Sequence, residues 1–82
     1  MKLAYLPIAQ KQLSKLSRSQ KIKVVKTIRK LALNPFAGKS LGGRFAGHYS
    51  ARAWPYRIIY RFLKQTQLLI IETIQHRQQV YK

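Results

Sequence analysis

Two arginines, Arg52 and Arg57, lie in an aromatic and β-branched stretch running from Tyr49 to Tyr60. They are the residues best suited to chemistry. Such a composition favours strands, and strand pleating alternates side chains between faces. Ser50, Arg52 and Trp54 then share one face, and Tyr49, Ala51 and Ala53 the other. On the next segment Tyr56, Ile58, Tyr60 and Phe62 share a face, opposite Arg57, Ile59 and Arg61. A hairpin about Trp54-Pro55 puts Arg52 and Arg57 on the same open face. Two guanidinium groups converging there can grip one phosphate bidentately. Strand arginines also serve simply to solubilise a sheet and protect its edges, so periodicity alone leaves both roles open.

The second cluster is the C-terminal run Gln75-His76-Arg77-Gln78-Gln79-Val80-Tyr81-Lys82. Tyr81 is either a packed chain end or a group that stacks on a base or handles a proton. His76 is the candidate imidazole acid or base near the arginines, and His48, between Gly47 and Tyr49, is a secondary one. There are no paired carboxylates, which argues against glycosidic and two-metal chemistry. Two histidines and one glutamate at no standard spacing give no metal site, and no cofactor motif is present. One reaction suits a toolkit of cations. RNA carries its own nucleophile, the 2′-hydroxyl, beside the scissile phosphate. An enzyme need only align it, stabilise charge on the phosphorane and protonate the leaving oxygen.

These side chains need a scaffold. Lys2 to Leu6 reads as a short strand. Pro7 suits the first position of a helix, and Ile8, Ala9, Leu13 and Leu16 follow at helical spacing. Ser17 and Gln20 have the spacing of a capping box. They open a second helix with Ile22, Val25, Ile28, Leu31 and Ala32 as its apolar stripe, Val24 at the stripe's edge, and Lys23, Lys26 and Lys30 outside. Asn34-Pro35 ends it. The tight link between the helices predicts a helical hairpin. Phe36 to Gly47 holds all four glycines and reads as a loop, anchored in the core by Leu41 and Phe45, with a short edge strand around Leu41–Phe45. Tyr49–Ala53, Tyr56–Leu63 and Gln67–Gln75 read as three antiparallel strands. The apolar run Leu68 to Ile71 predicts that the last is central or covered on both faces. The fold class is therefore α+β: a short N-terminal strand, a helical hairpin, then an antiparallel sheet of three or more strands packed on the helices, in one domain over residues 1–82.

Lys and Arg number 17 against a single acid, giving a formal net charge of +16. Such an excess seeks a polyanion. There are no cysteines, so disulfide scaffolds and thiolate metal sites are excluded. No segment is long and apolar enough to span a bilayer, and the N-terminus lacks the hydrophobic region of a signal peptide. A cytoplasmic protein without a membrane partner is the expectation.

The pattern of residues resembles the RelE/ParE superfamily of bacterial toxins from type II toxin–antitoxin modules. The matching residues are Asn34-Pro35, Gly38-Lys39, Leu41-Gly42, Gly47, Tyr49, Arg52, Tyr56-Arg57-Ile58-Ile59-Tyr60, His76-Arg77 and Val80-Tyr81. The resemblance implies a RelE-like microbial ribonuclease fold. The RelE branch cleaves mRNA in the ribosomal A site without metal, and its functional residues correspond to Arg52, Arg57, Arg77 and Tyr81, with His76 beside them. Lys39, Arg44, Ser50, Arg61 and Lys82 are the expected RNA contacts around that set. The ParE branch shares the fold, poisons DNA gyrase and generally lacks the full set. The presence of all four residues favours RelE-like mRNA cleavage over gyrase inhibition, and over a plain nucleic-acid-binding module. The resemblance also implies a cognate antitoxin as partner, with the ribosome and mRNA as targets. This chain departs from the family in three places. Ser50 stands where some members are basic, Trp54-Pro55 replaces the usual Gly-Asp turn, and no acid is expected in the groove region, where some relatives use a glutamate as base.

Overall fold

The computed structural model describes residues 1–78. The elements, in order, are β1 (Lys2–Tyr5), α1 (Pro7–Ser14), α2 (Arg18–Leu33), β2 (Lys39–Ser40), β3 (Tyr49–Ala53), β4 (Tyr56–Leu63) and β5 (Leu68–His76), with one 3₁₀ turn at Gly43–Phe45. Pro7 opens α1 where its missing N–H costs no hydrogen bond. Ser17 caps α2, its hydroxyl accepting from the Gln20 amide at 3.4 Å. Asn34 leaves the helix in an extended conformation before Pro35.

The strands form one sheet in the order β1-β5-β4-β3-β2. β2 through β5 are antiparallel neighbours, as expected. β1 joins parallel to β5, with Leu3 beside Leu69 and Tyr5 beside Ile71. This makes β5 an interior strand, which accounts for its apolar run. The edge strand expected near Leu41–Phe45 lies earlier, as the two residues of β2 paired with Tyr49 and Ser50.

The helices cover one face of the sheet. Ala51, Ala53, Ile58, Tyr60, Leu69, Ile71 and Ile74 are buried there against Ala9, Val24, Ile28 and Leu31. As expected, the sheet packs on the helices, with α1 resting chiefly on β5 and α2 on β3. That contact sets the buried line of α2. Val24, Ile28 and Leu31 follow the i, i+4, i+7 spacing of one helical face, while Ile22, about 200° of helix away from Val24, is half exposed. Ile8 likewise points off the core.

One irregularity in β5 shapes the open face of the sheet. Ile59 pairs with Thr73 but Tyr60 pairs with Ile71, so Glu72 is an extra residue, a β-bulge. The bulge lets Ile71 and Ile74, three apart, both face the core. It leaves Glu72 and Thr73 together on the open side. The Ile74 amide donates to Gln12 Oε1 of α1 at 2.7 Å, tying helix and bulge together.

The loop after α2 is anchored by Tyr60, not by Leu41 and Phe45. The fully buried Tyr60 hydroxyl donates to the Pro35 carbonyl at 2.7 Å and accepts from the Gly38 amide at 3.0 Å. Burial pushes this hydroxyl above the ordinary tyrosine range, which keeps it a donor. A Cβ at Gly38 would fall on that hydroxyl and on the Ser50 carbonyl, so glycine is required by close approach. Tyr60→Phe leaves a buried carbonyl and amide without this partner. It is expected to cost about 2 kcal/mol, lowering Tm by roughly 10 °C in a thermal circular-dichroism scan.

Candidate functional site

The open face of the sheet carries the charged side chains that pleating predicts. In the β3–β4 hairpin Arg52 pairs directly with Arg57, and Ala53 with Tyr56, around a two-residue turn with a cis Trp54–Pro55 peptide. The replaced turn thus keeps a regular register. Trp54 organises the tip. The Arg52 guanidinium lies 5.6 Å from its ring centroid and that of Arg77 lies 5.2 Å away, both within cation–π range. The Arg77 amide donates to the Pro55 carbonyl at 2.8 Å, and Lys23 Nζ reaches the Trp54 carbonyl at 3.1 Å. Arg52 and Arg77 are exposed and Arg57 is half-buried. Three arginines therefore stand at one end of the sheet, Arg52 and Arg57 by their pairing and Arg52 and Arg77 by their shared contact with Trp54.

From Arg57 a groove of about 470 Å³ runs along the open face. Ser50, Ile59 and Thr73 form its floor. Leu41 and Phe45 of the glycine-rich loop wall one side, and Leu6 and Ile8 the other. This is why Leu41, Phe45 and Ile8 do not enter the core. At the end away from Arg57 stand His48 and Glu72. His48 Nδ1 and Glu72 Oε1 are hydrogen-bonded at 2.5 Å. Arg61 Nε lies 3.1 Å from Glu72 Oε2, an ion pair without hydrogen-bond alignment. The Phe45 ring meets His48 edge-on, 6.3 Å between centroids.

The structure brings together part of the residue set singled out in the sequence. Arg52 and Arg57 are paired across the hairpin, and Arg77 meets Arg52 at the Trp54 ring. Ser50 lies in the groove floor, and Arg61 is engaged with Glu72 at its far end. Lys39 is exposed on β2, toward the other side of β3, and Arg44 is exposed on the 3₁₀ turn. Tyr81 and Lys82 lie outside the described residues. His76 pairs with Tyr56 on the helix-covered face, its ring edge-on to Tyr56 at 5.5 Å, and its Nδ1 accepts from the Gln78 amide at 3.3 Å. The imidazole lining the groove is His48. An acid is present there as well, against expectation: Glu72 follows the core-facing Ile71 onto the open face, and the bulge keeps Thr73 beside it. The one acidic side chain in a sequence of formal charge +16 was the available signal. Its partner, 24 residues earlier, had none.

The sequence matches the family model described as "ParE toxin of type II toxin-antitoxin system, parDE" over residues 3–81. A search of curated proteins finds no match. Among solved structures, the chain superposes with a TM-score of 0.85 on a protein of the RelBE toxin–antitoxin complex from Mycobacterium tuberculosis, at 29% identity, over 93% of this chain and 96% of that one. A YoeB/ParE toxin from Agrobacterium tumefaciens gives 0.82 at 25% identity, over 93% and 98%. The archaeal RelE–RelB complex from Pyrococcus horikoshii shares the fold, with a TM-score of 0.81 at 20% identity over 96% and 97%.

Proposed function

The chain belongs to the ParE toxin family of type II toxin–antitoxin systems; from the arginines of its site we propose that it is a ribosome-dependent mRNA endonuclease working without metal. The observation that carries this reading is the direct cross-strand pairing of Arg52 and Arg57, with Arg77 held at the same hairpin tip. Arginines paired across the hairpin on an open face suit the oxygens of a phosphate.

In the proposed reaction the 2′-oxygen of one nucleotide forms a bond to the adjacent phosphorus, and the bond to the 5′-oxygen of the next breaks. The products are a 2′,3′-cyclic phosphate and a 5′-hydroxyl. The 2′-hydroxyl proton goes to a base, and a proton is delivered to the leaving oxygen. Arg57 and Arg52 grip the non-bridging oxygens, where negative charge grows in the phosphorane. The Trp54 ring contacts both Arg52 and Arg77. Arg77 and, beyond it, Tyr81 are the proposed tail residues for protonating the leaving group. His76, on the opposite face beside Tyr56, is given no step. The nucleophile resides in the substrate, so the scheme needs no metal to generate one.

The excess of cations suits ribosomal RNA, and it equally suits an acidic segment of a cognate antitoxin, the proposed neutralising partner. Action on ribosomes puts the proposed toxin in the cytoplasm. The purified chain added to translating ribosomes is expected to produce new mRNA ends within codons while DNA gyrase supercoiling proceeds unchanged. Intact mRNA together with lost supercoiling would move the chain to the gyrase-poisoning branch.

A further inference from the structure

We propose that the groove running from Arg57 to His48 is a nucleobase subsite, holding the base of a nucleotide whose phosphate sits on the arginines. The inference deepens the mRNA-cleavage reading and rests on it for the identity of the phosphate. Charge points this way first. Glu72 is the only acidic side chain in the sequence, and it stands at the end of a groove that begins at Arg57. Arg61 is already engaged by Glu72, so a second phosphate there would face a carboxylate without gaining that cation. The walls point the same way. Leu41, Phe45 and Ile59 offer apolar and aromatic surface, which suits the flat face of a base far better than a sugar–phosphate. Small-ligand sites combine such walls with a few placed polar groups.

The polar group here is His48. Its Nδ1 is taken by Glu72, which fixes the ring, and among the described residues no hydrogen bond engages Nε2. With the proton on Nδ1, Nε2 is an acceptor for an N–H on the base edge. The length fits as well. Arg57 and Arg61, four residues apart on β4, are separated by about 13 Å. That spans a phosphate, its ribose and a base once the reach of the arginine side chain is subtracted. The exposed Phe45 ring at the rim, 53% accessible, is placed to stack on the base.

The test uses the full chain and an uncleavable trinucleotide, 2′-O-methylated throughout, followed by amide and methyl NMR. A matched trinucleotide abasic at each position in turn is the comparison. The base-bearing RNA is expected to shift Leu41, His48, Ile59 and Thr73. Removing the base at one position is expected to erase those shifts and weaken binding about tenfold, while shifts at Arg52, Arg57 and Arg77 persist. Phe45→Ala, an exposed change that leaves the core intact, is expected to reproduce much of that weakening. Equal affinity and identical groove shifts for every abasic RNA would overturn the assignment. So would groove shifts produced only by an antitoxin peptide, which would give the groove to that protein. No step of this experiment needs cleavage. An unresponsive groove in a toxin that still cuts mRNA removes the base subsite alone. A responsive groove in a toxin that does not cut removes the nuclease reading alone.

Discussion

Arg57→Ala is expected to lower mRNA cleavage on translating ribosomes by about 10²–10³-fold, measured as the rate of appearance of new mRNA ends. Arg57 stands where both halves of the site meet. It pairs with Arg52 on one side and with Gln75 on the other, and it opens onto the groove. Removing it leaves growing phosphorane charge facing an apolar alanine. Because Arg57 points away from the helices, the variant should keep its Tm within about 4 °C of the parent. Arg57→Lys should recover only part of the rate, since an ammonium cannot make the bidentate contact of a guanidinium.

The adjacent residue gives the opposite result. Ile58 is fully buried on the helix-covered face, in the cluster with Ile28 and Ile71. Ile58→Ala removes three methyl or methylene groups and leaves a cavity, at a cost of about 3–4 kcal/mol. The whole stability of an 82-residue chain is roughly 4–12 kcal/mol. A thermal scan should therefore show Tm lowered by roughly 15–25 °C. At low temperature, where the fold persists, cleavage per folded molecule should stay within about twofold of the parent, since no phosphate-facing group has changed. Two neighbours on one strand would then separate function from folding by the face each occupies.

This division between faces was legible in the sequence, because strand alternation is a local property. Tyr56, Ile58 and Tyr60 against Arg57, Ile59 and Arg61 could be read without any partner strand. The Ser17 cap, the Pro7 start and the Asn34-Pro35 stop are local as well, and they mark the helices correctly. What escaped depends on contacts between distant segments. The stripe of α2 turned on Val24 and not Ile22, because both patterns are helical and only the sheet decides between them. The parallel pairing of β1 with β5 joins residues more than sixty positions apart, and nothing in Lys2–Tyr5 announces its partner. The bulge at Glu72 was the most consequential miss. A single inserted residue reverses the alternation of β5, so that Glu72 and Thr73 both face the groove. His48 then gains its partner, and Leu41 and Phe45 become walls of a site instead of core anchors.

The proposed branch rests on residues and not on the fold, since one fold can carry different functions. If this chain cuts RNA by activating the RNA's own 2′-hydroxyl, removing that hydroxyl must stop the reaction. Ribosomes are programmed with an mRNA carrying a single 2′-deoxyribose at the mapped cleavage position, on the 5′ side of the scissile bond. Cleavage there is expected to disappear, while the all-ribose message is cut to leave a 2′,3′-cyclic phosphate and a 5′-hydroxyl. Undiminished cleavage at the deoxy position would contradict the proposed chemistry.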